Sequence, residues 1–352
     1  MAPHNMSWVH YPSLVSGALE EVISAQSVAA RALQVYAGLC LPLALTTGLF
    51  NLVVLLRGRR AQPGGLDTCL LDLVATQLLG ALLSLSALSR PGYLATTHLG
   101  CAALSFLGNL CSLNAQLLPA AMLFLFLPPG PACWLPLAAR GARRPTVGLA
   151  ALGTYALAGS LGLAALLGMA GQLGQPTLCQ LDPLTAWPEY EFTKLGLGLG
   201  VGLGLELAFC GLLVARWVRG EPRPQEDPAS ACQLVYTLVL TSTTCRLPYS
   251  MALLQRGLQK LRGELGSPRD ELLLNLAELL LFAEAAAVGL LVLLLHPPCK
   301  AALLQLLPCT CPCSCPRQDP DSTLALGESL GQTAGDTQGP GNSSVTRGHS
   351  QD

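Results

Sequence analysis

Charge is scarce in this 352-residue chain: Asp, Glu, Lys and Arg make up 12% of it, against a hydrophobic share of 51% and a mean hydropathy of +0.48. An ordinary soluble domain carries about twice that charge, so the composition excludes one. Aromatics are nearly as sparse, at 5%, which removes the ring-lined pocket that often hints at amine or peptide ligands. The five histidines, His4, His10, His98, His296 and His349, all miss the middle of any apolar run, and neither HExxH nor paired intramembrane aspartates occur. Hydrolytic metal chemistry lacks its usual residues, and neither an enzyme nor a cofactor is expected. The opening "MAPHNMSWVHYPSL" has no basic start and no apolar centre, so no secretory signal peptide is expected and the first span serves as the targeting signal. The fourteen cysteines scatter through apolar runs instead of forming the even framework of a small secreted scaffold.

What is abundant is uninterrupted apolar sequence. Spans are expected at Leu33–Leu56, Leu66–Leu88, Cys101–Leu127, Thr146–Ala170, Leu195–Val218, Ala231–Leu254 and Leu272–Leu295. At about 1.5 Å rise per residue each covers a hydrocarbon core of about 30 Å. An odd number of crossings sets the termini on opposite sides. Arg57, Arg59, Arg60, Arg140, Arg143, Arg144, Arg216, Arg219 and Arg223 fall in the first, third and fifth loops, whereas the N-terminal segment and the second and fourth loops hold Arg31, Arg90 and Lys194. Basic residues favour the cytoplasm, which places the N-terminus outside and the C-terminus inside. The sixth loop dissents with Arg256, Lys260, Arg262 and Arg269, among Glu264, Asp270 and Glu271. The glycosylation triplet at Asn5 agrees with an outside N-terminus.

The expected organisation is an extracellular segment 1–32, an all-α seven-transmembrane bundle 33–295, a juxtamembrane amphipathic helix with a cysteine cluster 296–316, and a polar, disordered cytoplasmic tail 317–352. In span 5 the run "LGLGLGVGLGLEL" places Gly196/Gly200/Gly204 on one helical face and Gly198/Gly202 on another. Such small-residue faces serve helix packing or dimerisation. No Lys-Ser/Thr follows, so the run is not a phosphate loop.

Arg246 lies halfway along span 6, with Glu206 and Glu284 near the middle of spans 5 and 7 and Glu278 about two turns nearer the outside. An arginine at a helix centre costs about 2.5–3.5 kcal/mol on insertion scales, so these groups are expected to face inward and pair. Arg246 is expected to pair with Glu284, with Glu206 as the alternative. Such a pair is either a structural lock or a polar centre that binds a ligand and changes partners.

With these spans and "CRLPYS" in the sixth, the chain resembles the rhodopsin-like, class A G-protein-coupled receptors from Leu33 to about Cys315. Cys245, Leu247, Pro248 and Tyr249 fit that family's span 6 motif, and Asn51 in "FNLVVLL" fits its span 1 asparagine. The resemblance implies a disulfide between Cys101 and Cys179, a kink at Pro248, a short inner-leaflet helix in "HPPCKAALLQLL", and palmitoylation at Cys309, Cys311, Cys313 and Cys315. Those four cysteines form an alternating pattern that also suits a metal ion. Departures are equally plain: Gln77 replaces the family's span 2 aspartate, Leu125-Phe126-Leu127 its Asp-Arg-Tyr, Arg246 its switch tryptophan, and Val288-Gly289-Leu290-Leu291-Val292 its Asn-Pro-x-x-Tyr.

The resemblance implies a divergent plasma-membrane receptor. An extracellular or membrane-borne ligand would bias its bundle, and a heterotrimeric G protein or arrestin-type adaptor would read it, in part through the inner arginines and tail residues such as Ser322, Thr323, Ser329, Thr333, Ser343 and Ser344. The missing motifs favour a second class, a signalling-poor scaffold or a homo- or heterodimer partner in contact with membrane lipid. A transporter using Glu206, Arg246 and Glu284 stands third, against an odd span number and no visible inverted repeat. Nothing points to nucleic acid.

Overall fold

The computed structural model describes residues 16–59, 64–89, 94–126, 145–167, 174, 176–179, 187–219, 229–263 and 267–306. The chain divides into two units, Met1–Leu307 and Pro308–Asp352, and every residue described below belongs to the first. Asn5, Cys309, Cys311, Cys313, Cys315, Arg140, Arg143, Arg144, Arg223 and the 317–352 tail lie outside the described residues.

Helix α1, Ser16–Val35, passes through a π-helical turn at Tyr36–Cys40 into α2, Leu41–Arg59. Pro42 accounts for that turn. It has no N–H to donate and its ring meets the carbonyl four residues back, at Gly38, so a wider turn relieves the clash. Helix α3 is Gly65–Leu83, strand β1 Leu94–Thr97, α4 His98–Leu125 and α5 Pro145–Leu166. Strand β2, Pro176–Cys179, pairs antiparallel with β1, setting Leu94 opposite Cys179. Helix α6, Pro188–Leu195, continues through a second π-helical turn, Gly196–Gly200, into α7, Val201–Val218. Helix α8 is Ala229–Leu261, α9 Pro268–Leu295 and α10 Pro297–Leu306.

Local chemistry marks the starts. The Thr97 side chain accepts from the Gly100 N–H to begin α4. Ser267 and Asp270 form a reciprocal capping box ahead of α9, whose first turn opens with Pro268.

Among the described residues, six helical stretches are long and apolar enough to cross a membrane: Ser24–Gly58, Gly65–Ser86, His98–Leu125, Val147–Leu166, Pro188–Ala215 and Arg269–Leu295. The architecture is that of an all-α membrane protein with one two-stranded ribbon. The expected sixth span sits within α8, which at 33 residues is long enough but falls outside this set. Thr241, Ser242, Thr243, Thr244 and Arg246 dilute its apolar character. Helix α8 also runs about two turns past Leu254, so Arg256 and Lys260 belong to the helix and not to the loop in which the sequence suggested them.

Helix α4 touches α3, α5, α7 and α8, while α9 touches α1, α2, α3, α8 and α10. Between them lies the largest apolar cluster, with Leu70, Leu73, Leu118, Met122, Leu234 and Val292 almost wholly inside. Leu207, Leu240 and Leu294 point outward. Helices that are apolar on every face are at home in hydrocarbon, where burying leucine confers no advantage over exposing it.

Candidate functional site

Helices α3, α8 and α9 send polar side chains to one point, and α4 adds a backbone carbonyl. Arg246 on α8 and Glu284 on α9 are 5% and 1% exposed, and the guanidinium Nε stands 2.8 Å from Glu284 Oε2. The other oxygen, Oε1, accepts from Arg246 Nη2 at 3.0 Å, from Ser242 Oγ at 2.9 Å and from Gln77 Nε2 on α3 at 3.0 Å. Ser242 precedes Arg246 by one helical turn, so both share a face. Its hydroxyl donates to Glu284 and accepts from Arg246 Nε at 3.1 Å, which uses both capacities of one oxygen. Arg246 Nη1 reaches across to α4, donating to the Ser112 carbonyl at 2.8 Å. Dense hydrogen bonding of this kind is what makes a buried ion pair tolerable.

Glu206 on α7 is 5% exposed and stands one step away, accepting from Thr243 Oγ1 at 3.1 Å. It remains within electrostatic reach of both Arg246 and Glu284. Asn51 on α2, fully buried, donates to the Gly289 carbonyl on α9 at 2.7 Å. Pro248 lies inside α8, two residues after Arg246, on an exposed face. Cys101 and Cys179 form a disulfide that ties the start of α4 to β2.

The glycine run divides its faces. A Cβ at Gly198 or Gly202 would come 2.9 or 2.8 Å from the Gln116 side chain of α4, so these two admit a close neighbour. Gly196 and Gly204 have nothing within 4 Å and lie exposed, as does Gly200, near its own helix backbone only.

Two cavities flank Arg246. One, on the side of α6, is lined by Asn109, Ser112, Gln116, Lys194, Tyr249 and Ser250 with leucines between them. The other is lined by Thr76, Gln77, Cys111, Phe282 and Glu284, and shares Ser112 and Arg246 with the first. Each has room for only a few waters, well below a drug-sized pocket, so a larger ligand needs the helices to part. Among the described residues no cluster of His, Cys, Asp or Glu is arranged to hold a metal ion.

Sequence reasoning singled out Arg246, Glu284, Glu206, Gln77 and Asn51, and the structure brings the first four into one neighbourhood. It overlooked Ser112 and Ser242, although Ser242 sits four residues before Arg246. It also overlooked a second ionic group. Glu191 Oε1 on α6, 1% exposed, accepts from Arg256 Nε at 2.7 Å and Lys260 Nζ at 2.5 Å. The spacing of those two cations, four apart on one helical face, was the available signal. Against protein-family models and curated proteins alike, the chain finds no match.

Proposed function

We propose that the chain is a divergent receptor of the rhodopsin-like class. In this reading α8 supplies a seventh crossing, the N-terminus lies outside the plasma membrane, and the C-terminus faces the cytosol. A ligand entering at the disulfide end biases the packing of α4, α8 and α9, and a G protein or arrestin-type adaptor responds at the opposite end. The reading extends to glycosylation at Asn5 and palmitoylation at Cys309, Cys311, Cys313 and Cys315.

One observation carries the proposal: Arg246 borders the cavity on the side of α6 while its guanidinium is held by Glu284. A ligand in that cavity touches the same side chain that joins α8 to α9 and α4, so binding and helix packing share one group. The test is ligand-independent recruitment of minimal G proteins and arrestin in living cells. Recruitment that falls in Arg246→Met at equal surface expression supports the reading. No recruitment of any transducer favours the second reading, a receptor-like scaffold. That alternative draws on Gly289, where a Cβ would collide with Thr47, so α9 is held against α2 at the point where family members carry a switch motif.

A further inference from the structure

We propose that Glu206 is a proton-binding site: it is a neutral acid while Arg246 is bonded to Glu284, and on losing its proton it competes with Glu284 for Arg246. The inference goes beyond the receptor reading and does not rest on it, because a proton on Glu206 is detected without any transducer.

The charges at the centre of the bundle do not balance. Two acids, Glu206 and Glu284, are buried there, and the cation within electrostatic reach of Glu206 is Arg246. That cation is committed elsewhere. Its Nε and Nη2 hold the two oxygens of Glu284, at 2.8 and 3.0 Å, and Nη1 turns to the Ser112 carbonyl on α4. Among the described residues Glu206 forms no ion pair, and its one hydrogen bond runs from Thr243 Oγ1 to Oε2, leaving Oε1 with none. The basic residues on the same helical stretch, Lys194 twelve residues back and Arg216 ten residues on, are about 15 Å or more away along the axis.

The other titratable groups around Glu206 bring no positive charge. Cys210 lies one turn further along α7, and Cys245 on α8 is within reach of Arg246 and Glu284. Helix α4 also packs against α7, and its titratable groups are His98 at its start, the disulfide-bonded Cys101 and buried Cys111. Gln116 of α4 meets α7 at Gly202, one turn before Glu206, and His98 is about 27 Å from Gln116 along its helix.

A carboxylate buried without a partner costs enough that such a group takes up a proton and becomes neutral. Two acids near one cation reach the same end, since the second negative charge is repelled by the first. Glu284 has Arg246 on both oxygens and hydrogen bonds from Ser242 and Gln77, so its charge is the one that is kept. The proton therefore sits on Glu206, at Oε1, while Oε2 accepts from Thr243. Thr243 and Arg246 are three apart on α8 and share a face, so Glu206 already touches the face that carries the guanidinium. Loss of the proton to water sets α7 against α9 for possession of Arg246, and the junction of α8 with α9 loosens.

The experiment is infrared difference spectroscopy of the full-length protein in lipid nanodiscs near neutral pH, in water and in heavy water. A protonated carboxylic acid shows a carbonyl stretch that an ionised one lacks, and the band shifts on deuteration. Wild type minus Glu206→Gln is expected to show one such band. In a Glu284→Gln background the same subtraction is expected to show none, because Arg246 is then free to hold an ionised Glu206. Glutamine resembles the neutral acid, so Glu206→Gln melts like wild type at low pH, which reports that it folds. The folded protein holds a proton that the unfolded chain gives up above the ordinary glutamate range. Wild-type melting temperature therefore falls more steeply than that of Glu206→Gln as pH rises from about 5 toward 8, the gap corresponding to about one proton. Absence of the band from wild type minus Glu206→Gln, or equal pH slopes, overturns the assignment. So does a melting temperature raised by sodium chloride over choline chloride in wild type but not in Glu206→Gln, which would make the occupant a metal cation. A band that persists in the Glu284→Gln background overturns the competition for Arg246.

Discussion

Asn51 and Gly289, 238 positions apart, meet through one hydrogen bond: the Asn51 amide donates to the Gly289 carbonyl at 2.7 Å. Gly289 permits the meeting, because a Cβ there would collide with Thr47 on α2. Asn51→Leu removes a buried donor and is expected to cost about 1–2 kcal/mol. Gly289→Val forces α2 and α9 apart and is expected to cost about 1–3 kcal/mol or more. Melting temperatures in detergent check both. If Gly289→Val melted at the wild-type temperature, the close approach of α2 and α9 would be wrong.

The Arg246–Glu284 pair predicts a pattern across variants. Arg246→Met strands a buried carboxylate, and Glu284→Met strands a buried guanidinium with the donors of Ser242 and Gln77. Each single change is expected to cost about 3–5 kcal/mol. Arg246→Met combined with Glu284→Met removes both members of the pair, leaving the buried Glu206 carboxyl group with its Thr243 hydrogen bond, and recovers part of that loss. Surface expression and thermal stability read the three variants, and simple additivity of the single losses would refute the pairing. Charge exchange is a poorer test, since Ser242 and Gln77 donate to the acid and would confront an arginine placed at 284.

The two faces of the glycine run predict opposite signs. Gly204→Ala adds a methyl to open space and removes backbone freedom from the unfolded chain, worth about 0.5–1 kcal/mol of added stability. Gly202→Ala drives a Cβ to 2.8 Å from Gln116 Cγ, in the middle of that side chain, and is expected to destabilise. Gly198→Ala meets only the far end of Gln116 and falls between them. The order of melting temperatures, Gly204→Ala above Gly198→Ala above Gly202→Ala, is the measurement.

What could be read from sequence followed the size of the free energies involved. A membrane crossing needs about 20 apolar residues, and such runs stand out at once in α2, α3, α4 and α9. A midmembrane arginine must find an acid, which narrowed the partners of Arg246 to Glu206 and Glu284 before any geometry. Ser112, Gln116 and Ser250 escaped notice because uncharged polar residues are cheap enough to occur anywhere in a helix. The π-helical turns escaped for a different reason. Pro42 and the run from Gly196 to Gly200 announce irregularity, and neither pattern says which kind. The pairing of Cys101 with Cys179 came from a resemblance, since fourteen cysteines admit many pairings.

The most consequential misreading was of Arg256 and Lys260, assigned to a loop because charge ordinarily marks the edge of a span. Both sit in the last turns of α8, and both reach the single oxygen Oε1 of Glu191. Glu191 is 1% exposed, so it serves as the counter-ion for two cations at a place water scarcely enters. Glu191→Gln keeps the shape of the side chain and removes the acid bonded to Arg256 and Lys260, so the two repel more strongly across one helical turn, with Glu271 still within electrostatic reach of both. The expected loss is about 3–5 kcal/mol, the range for breaking a buried pair. Adding Lys260→Met to Glu191→Gln removes the repulsion and is expected to restore part of the loss, while the same change in the wild-type background leaves Glu191 with Arg256 and costs less. Lower stability on adding Lys260→Met to Glu191→Gln would mean that the cluster is held by something other than this carboxylate.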